Sequence, residues 1–586
     1  MRTSFLSGSR LLHLSIIAVT ACLVYSNTFS VPFHYDDKLN IVDYAWIKDL
    51  SAFWPPAGNR WFGYFTFALN YHFNGLDPAG YHAVNLAIHV LNGFLIYGLI
   101  MTIFRTPYWS GTKNGIKEQV PGKHALAALF ASLLFVAHPV QTQAVTYIVQ
   151  RLASLAAFFY LLSLAAYARA RLLASERGDG RKQWVSLSLY ALSLLAAILG
   201  MKTKEIVFTL PFVIMLSEVF FFRSLSADAV TMRRRLLYLL PFLLTLALIP
   251  LTLNGFGGDL QDAFRATHEI TRHDYLLTQF RVLMTYLRLL ILPIDQSIDY
   301  DYRLYRAFGD PAVLLSFLGL VCLAGFAGIL FMRSRREQHP SRLVSFGIFW
   351  FFVTISVESS LVPIADVIFE HRLYLPSVGA AIAVSGAALF LFGRVQERHG
   401  QAARIIVAAG ILAVILLSVA AYNRNNAWIS EITLWEDAVR KHPGSARALN
   451  MLGILYKTAG RRAEARNAFL RAVETRPSFA EAHVNLGRVY VEDGDPDAGM
   501  SEFMKALSLR SLDDIDTANL FINMGDYYMR KGMPDRAIEF YHYALPLVPG
   551  DATVHFFLGK AYQTKGMEGK AAEHFLKARQ LNPDRY

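Results

Sequence analysis

A chain of 586 residues that is 54% hydrophobic and only 17% charged is too apolar for an ordinary soluble protein, in which about 25% of residues are charged. Its formal net charge of +12 argues for membrane topology and against a nucleic-acid partner, because the basic residues gather in short loops between apolar runs. Two cysteines, Cys22 and Cys322, both inside apolar runs, exclude a disulfide framework and a cysteine-based zinc site.

Arg2 and Arg10 precede the apolar run from Leu11 to Tyr25, which fits either a signal peptide or a first transmembrane helix. A membrane span takes about 20 mostly apolar residues. By that measure candidate spans fall at 11–28, 81–104, 124–139, 143–166, 184–201, 205–222, 237–253, 311–332, 343–360, 374–393 and 403–422. Residues 43–79 hold Trp46, Trp54, Trp61 and a Phe/Tyr-rich run, a composition suited to helices lying at the headgroup level. The basic loops 105–123, 167–183, 223–236, Arg333–Arg342 and Arg394–Arg404 all fall on the cytoplasmic side if 275–292, which carries Arg281 and Arg288, stays interfacial or re-entrant. The expectation is an all-α, polytopic bundle of about eleven spans over residues 1–425, with the N-terminus cytoplasmic and the C-terminal domain outside. Residues 426–586 then form an extracytoplasmic α-solenoid.

That solenoid is read from a repeat of 34 residues, the period of tetratricopeptide repeats. Leu452-Gly453-x-x-Tyr456 recurs at Leu486, Met524 and Leu558, with small residues at Ala465, Gly499, Ala537 and Ala571 and aromatics at Phe469, Phe503, Tyr541 and Phe575. The repeats are 446–479, 480–513, 518–551 and 552–585, preceded by a half repeat at 431–445 around Trp435 and Ala438. Stacked repeats offer a groove for peptide or protein.

Candidate functional residues sit on the outer side of this topology. Asp36 and Asp37 follow the first apolar run, at the mouth of the bundle, where an acid can serve as general base. Lys202 and Lys204 lie between two spans, Arg151 lies within a span, and His371 and Arg372 follow Glu370. Cations on the disfavoured side or in the bilayer are costly and mark function; a lipid phosphate would satisfy them. Asp299 and Asp301 lie in an acid-rich stretch, 293–302, that either contacts an acceptor or is simply solvated.

Several stretches together resemble the TMTC family, transmembrane and tetratricopeptide-repeat proteins of the GT-C glycosyltransferase class. They are Tyr35-Asp-Asp37, Asn70 through Asn85, His138-Pro-Val-Gln-Thr142 through Arg151, Lys204-Glu205, Glu370-His-Arg-Leu-Tyr-Leu-Pro-Ser377 and Arg424-Asn-Asn-Ala-Trp428. The resemblance implies a protein O-glycosyltransferase that moves a sugar, mannose by likeness, from a polyprenyl-phosphate donor to a Ser/Thr hydroxyl outside the cell membrane. Short loops fit a bacterial inner-membrane member with its repeats in the periplasm. Asp36 or Asp37 would be the base. Arg151, Lys204, Arg372, His371 and Lys202 would hold the donor phosphate. Glu205, Glu370, Tyr35, Arg60, His138, Asp299 and Asp301 would support the site or meet the acceptor. No cofactor beyond the lipid-linked donor is required; a divalent metal is compatible but not demanded. An acceptor protein or peptide is the expected partner of the repeat groove. Two other readings stay open: an O-antigen-ligase-type oligosaccharide transferase, and a non-enzymatic repeat scaffold for envelope-polymer or pilus assembly.

Overall fold

The computed structural model describes residues 2–110, 120, 122–174, 180–222, 238–247, 270–334, 338–359, 363–364, 366–396, 400–583 and 585. Every regular element among them is helical, and they form two compact units. The first comprises Met1–Gln296 and Tyr302–Ser430, the second Ser297–Asp301 and Glu431–Tyr586.

Seven helices of the first unit are long and apolar enough to cross a membrane: Pro78–Ile103, Ile148–Ala174, Gly180–Met201, Glu205–Phe222, Pro311–Arg333, Pro376–Gln396 and Ala403–Trp428. An eighth candidate is the pair Gly122–Ala137 and Pro139–Val145, bent by 52°. The eleven spans expected from apolar runs are therefore corrected to seven or eight among the described residues. Of the surplus runs, Ser341–Ile355 forms a helix that is too short, and the helix Arg2–Val24 is apolar only over Arg10–Val24. Fifteen residues at about 1.5 Å each fall short of a hydrocarbon core about 30 Å thick. The third, 237–253, lies outside the described residues beyond Ala247, as does the basic loop 223–236.

Local chemistry explains where the helices start. Asp77 and Asp310 each accept the backbone N–H two residues on, from Ala79 at 3.1 Å and Ala312 at 2.9 Å, with Pro78 and Pro311 opening the helix. His138 plays the same part at the bent pair. Its Nδ1 accepts from Val140 N at 3.2 Å and its Nε2 lies 3.2 Å from the Leu290 carbonyl, so it sets the break. The helix Arg272–Ile291 is not among the membrane candidates. Thr271 caps it, and it buries Tyr275, Gln279, Val282 and Tyr286. Ser341–Ile355 and Pro376–Gln396 approach so closely that a Cβ on Gly347 would collide with the Gly379 carbonyl oxygen.

The second unit is built of helical hairpins. Glu431–Lys441 is followed by the pairs Ala446–Thr458 with Arg462–Thr475, Ala480–Glu492 with Pro496–Leu509, Asp514–Arg530 with Pro534–Ala544, and Ala552–Thr564 with Glu568–Leu581. Each pair turns through a glycine with φ between +72° and +92°, at Gly460, Gly494, Gly532 and Gly566, where a side chain would be strained. Within each pair the repeat glycine faces the repeat aromatic. A Cβ on Gly453 would stand 2.6 Å from Phe469, and one on Gly559 would stand 2.7 Å from Phe575. This unit also holds the acid-rich peptide. Asp299 accepts from Ser445 Oγ at 2.8 Å and Arg447 Nε at 3.3 Å, and Asp301 pairs with Arg476 at 3.5 Å.

Candidate active site

The two adjacent acids part company in a tight turn. Asp37 N donates to His34 O at 2.8 Å and Lys38 N donates to Tyr35 O at 3.1 Å, and Tyr35, exposed, takes a left-handed φ of 46°. Asp37 is 1% exposed. Its carboxylate accepts from His34 N at 2.9 Å and from Val149 N at 2.7 Å, so it ties the turn to the start of Ile148–Ala174. Burial pushes it up to about 8 against the pull of those donors. Asp36 instead stays partly exposed. Its backbone N–H donates to Tyr147 Oη at 2.8 Å, and the Tyr147 hydroxyl also bonds its carboxyl. Partial burial raises the Asp36 pKa; the Tyr147 bond opposes the rise and the nearby Asp366 carboxylate adds to it.

A chain of charges continues from Asp36. Asn40 Nδ2 donates to the Asp36 carbonyl at 2.9 Å and its Oδ1 accepts from Tyr64 Oη at 2.7 Å. One turn before Tyr64, Arg60 makes a two-pronged bond to Glu205, both contacts at 3.0 Å; Glu205 beside it holds the guanidinium above its usual pKa. Lys204, 7% exposed, pairs with Glu358 at 2.9 Å. Arg372, 4% exposed, donates to the Asp366 carbonyl at 2.7 Å and the Val367 carbonyl at 3.2 Å. Burial works against its charge, but the Tyr286 and Tyr275 phenols with Glu358 and Asp366 outweigh it and hold the pKa up.

His371 completes the group. Burial first, then Lys204, Arg372 and Arg60, drive its pKa well down, so the imidazole is neutral. Its ring stacks on Phe369, its backbone N–H donates to Gln143 Oε1 at 2.7 Å, and among the described residues its buried Nδ1 has no hydrogen-bond partner. Helix Arg272–Ile291 braces the loop behind these residues. Tyr275 Oη donates to the Glu358 carbonyl, Gln279 Nε2 to that of Val367 and Tyr286 Oη to that of Phe369, at 2.7 to 2.9 Å.

Asp36, Arg60, Lys204, Glu205, His371 and Arg372 are thus brought together. Lys202 lies alongside, its carbonyl accepting from Phe62 N at 2.9 Å. Glu370 is buried and accepts from Gln296 Nε2 at 2.8 Å. Arg151 is not part of the group. It is fully buried, donates to Asn85 Oδ1 at 2.7 Å and to the Tyr81 and Thr66 carbonyls, and lies over the Phe67 ring. His138 is a helix cap, and Asp299 and Asp301 belong to the repeat unit. Glu358, Asp366, Tyr64 and Tyr147 were not singled out from the sequence. Glu358, an acid at the end of the apolar run 343–360, carries the signal that finds it. Among the described residues no group of three or more His, Cys, Asp or Glu is placed to hold a metal ion.

Protein O-mannosyl-transferase Tmtc3 of Drosophila melanogaster is 26% identical over 72% of this chain and 49% of its own length. Protein O-mannosyl-transferase TMTC3 of Homo sapiens is 24% identical over 96% of this chain and 63% of its own length. The chain is distantly homologous to the TMTC O-mannosyl-transferases. Across these relatives identity runs from 23% to 28%, and the chain spans between about half and two thirds of the length of the two named here. The tetratricopeptide repeat family model matches residues 450–513 and 522–586. Among solved structures, the crystal structure of MamA protein is similar over 26% of this chain and 82% of its own, at 24% identity and a TM-score of 0.23.

Proposed function

We propose that this chain is a membrane glycosyltransferase that moves a mannose-type sugar from a polyprenyl-phosphate donor to a protein Ser or Thr hydroxyl at the extracytoplasmic face. The observation that carries the reading is the gathering of one partly exposed carboxyl, Asp36, with the buried cations Lys204 and Arg372 and the half-exposed Arg60. Arg105, Arg171, Arg181 and Arg394 stand at the opposite ends of the helices that lead to this cluster. That asymmetry supports an extracytoplasmic cluster by the positive-inside rule. Homology to O-mannosyl-transferases supports the chemistry at the level of the family.

The reaction follows from the roles these groups can fill. A hydroxyl is a weak nucleophile until a positioned carboxylate accepts its proton. Asp36 takes that proton as the acceptor oxygen attacks the anomeric carbon. The bond from that carbon to the phosphate oxygen breaks, and the electron pair leaves with polyprenyl phosphate. Lys204 and Arg372 stabilise the charge that develops there. One displacement inverts the anomeric centre. Asp37 holds the turn that aims Asp36, and the Tyr147 hydroxyl fixes the carboxyl. The repeats present the acceptor.

The test is transfer by the purified full chain, using defined polyprenyl-phosphate sugars and a Ser/Thr-containing peptide. Transfer from one donor sugar, lost in Asp36→Asn, is the expected result. A folded protein that binds the lipid phosphate yet transfers no sugar from any donor would sink the reading.

A further inference from the structure

Three arginines meet at the helix ends that lie away from the Asp36 cluster. Arg10 is on Arg2–Val24, Arg169 is near the end of Ile148–Ala174, and Arg105 is two residues beyond the end of Pro78–Ile103. The last of these helices packs against both of the others. The guanidiniums are near enough to act on one another. Burial first, then the charges of Arg169 and Arg10, lower the Arg105 pKa from its usual value.

Among the described residues none of the three forms an ion pair or a hydrogen bond. Arg171 shows how the same helix otherwise satisfies a cation: it holds Glu218 through two contacts, at 2.6 and 3.2 Å. Beside the arginines stand two buried donors without an acceptor among the described residues. One is Arg105 Nε and the other is the indole N–H of Trp109, which is 3% exposed. The Trp109 ring is pinned edge-on between Phe104 at 4.9 Å and His124 at 5.4 Å, so the N–H cannot swing out to water.

Topology alone does not call for this arrangement. The positive-inside rule counts basic residues in a loop and is met wherever in the loop they lie. Gathering them adds repulsion, and a buried donor without an acceptor is destabilising. An anion with several acceptor oxygens removes both costs, and phosphate suits guanidinium best. The site lies just past the ends of apolar, membrane-length helices, at the depth of lipid headgroups, where basic pockets between helices take anionic lipids. We propose that Arg10, Arg105, Arg169 and Trp109 bind the headgroup phosphate of an anionic phospholipid at the face of the bundle opposite the Asp36 cluster.

The experiment uses the detergent-solubilised full chain with a fluorescent phosphatidylglycerol, its displacement by unlabelled competitors, and thermal unfolding of the same samples. None of these readouts depends on sugar transfer. Unlabelled phosphatidylglycerol should displace the probe, while zwitterionic phosphatidylcholine and chain-free glycerol phosphate should do so only weakly. Arg105→Gln and Arg169→Gln should each lower affinity about tenfold, the worth of one charge-assisted bond. Trp109→Phe keeps a packed ring, removes the N–H and should lower affinity about fivefold. Arg394→Gln, exposed on the same face but outside the cluster, should change nothing. Without lipid, Arg105→Gln should unfold at a higher temperature than the native chain, because it relieves repulsion, and added phosphatidylglycerol should no longer raise that temperature. Equal displacement by phosphatidylcholine, equal displacement by glycerol phosphate (a soluble-anion site), undiminished binding by all three cluster variants, or an equal loss in Arg394→Gln would each overturn the proposal.

Discussion

Asp36→Asn separates chemistry from architecture. The substitution keeps the shape, the backbone N–H bond to Tyr147 at 2.8 Å and the turn, and removes only the proton acceptor. Loss of a general base costs about 10²–10⁴ in rate, which is about 2.7–5.4 kcal/mol of barrier. Asp37→Asn perturbs the other acid of the pair differently. Both Asp37 oxygens accept backbone N–H groups, so an amide nitrogen must face one of those donors, at a cost of about 1–3 kcal/mol in stability. The pH signatures also differ. The raised Asp36 pKa moves the ascending limb of kcat/KM to higher pH than an unperturbed aspartate would give, with a plateau on the alkaline side. For Asp37, raised to about 8 when folded from about 3.9 unfolded, the folded protein holds the extra proton between those values. Its contribution to stability therefore falls as pH rises through that window, and Asp37→Asn flattens the slope. The assays are labelled-sugar transfer across pH and thermal unfolding of the same samples. A folded, donor-binding Asp36→Asn enzyme with near-native turnover would refute the mechanism.

Lys204→Met leaves Glu358 buried without its cation; stability should drop by about 3–5 kcal/mol, and Lys204→Met/Glu358→Gln should recover part of it while donor affinity stays low, measured by lipid-phosphate binding. Arg151→Lys cannot reproduce the bonds to Asn85, Tyr81 and Thr66; thermal unfolding should show a loss of about 1–3 kcal/mol, and a shift in donor Kd among folded molecules would return Arg151 to the phosphate site. Gly347→Ala drives a methyl into the Gly379 carbonyl and should cost about 1–3 kcal/mol, with unchanged thermal stability showing that the helices part easily.

Much of the candidate site could be read from residue chemistry alone. Cations at Lys204 and Arg372 stand out beside apolar runs of the sequence, and the fold brings them together. What separates Asp36 from Asp37 could not be read, because the deciding donor, the N–H of Val149, lies 112 residues further along. Arg151 misled for a related reason. Its partners are neutral, a side-chain amide and two carbonyls, and no charge pattern announces them. The repeat pattern was readable, since each of Gly453, Gly487, Gly525 and Gly559 meets an aromatic of its own repeat. The span count was overdrawn because apolar composition records neither the bend at His138–Pro139 nor a helix that ends at Ile355. The acids of 293–302 look like one exposed patch in sequence, yet Asp299 is buried and tied by Ser445 and Arg447.

The buried Arg151 also constrains how the bundle can be put together. Its guanidinium draws on Thr66, Tyr81 and Asn85, supplied by Trp61–Asn74 and Pro78–Ile103. A guanidinium buried without acceptors is costly, so Ile148–Ala174 is not satisfied until it packs against those two helices. Its arrival at the lipid and its docking on the two earlier helices are one event, and the order of synthesis, with all three acceptors already made before Arg151 emerges, lets that event proceed without a waiting charge.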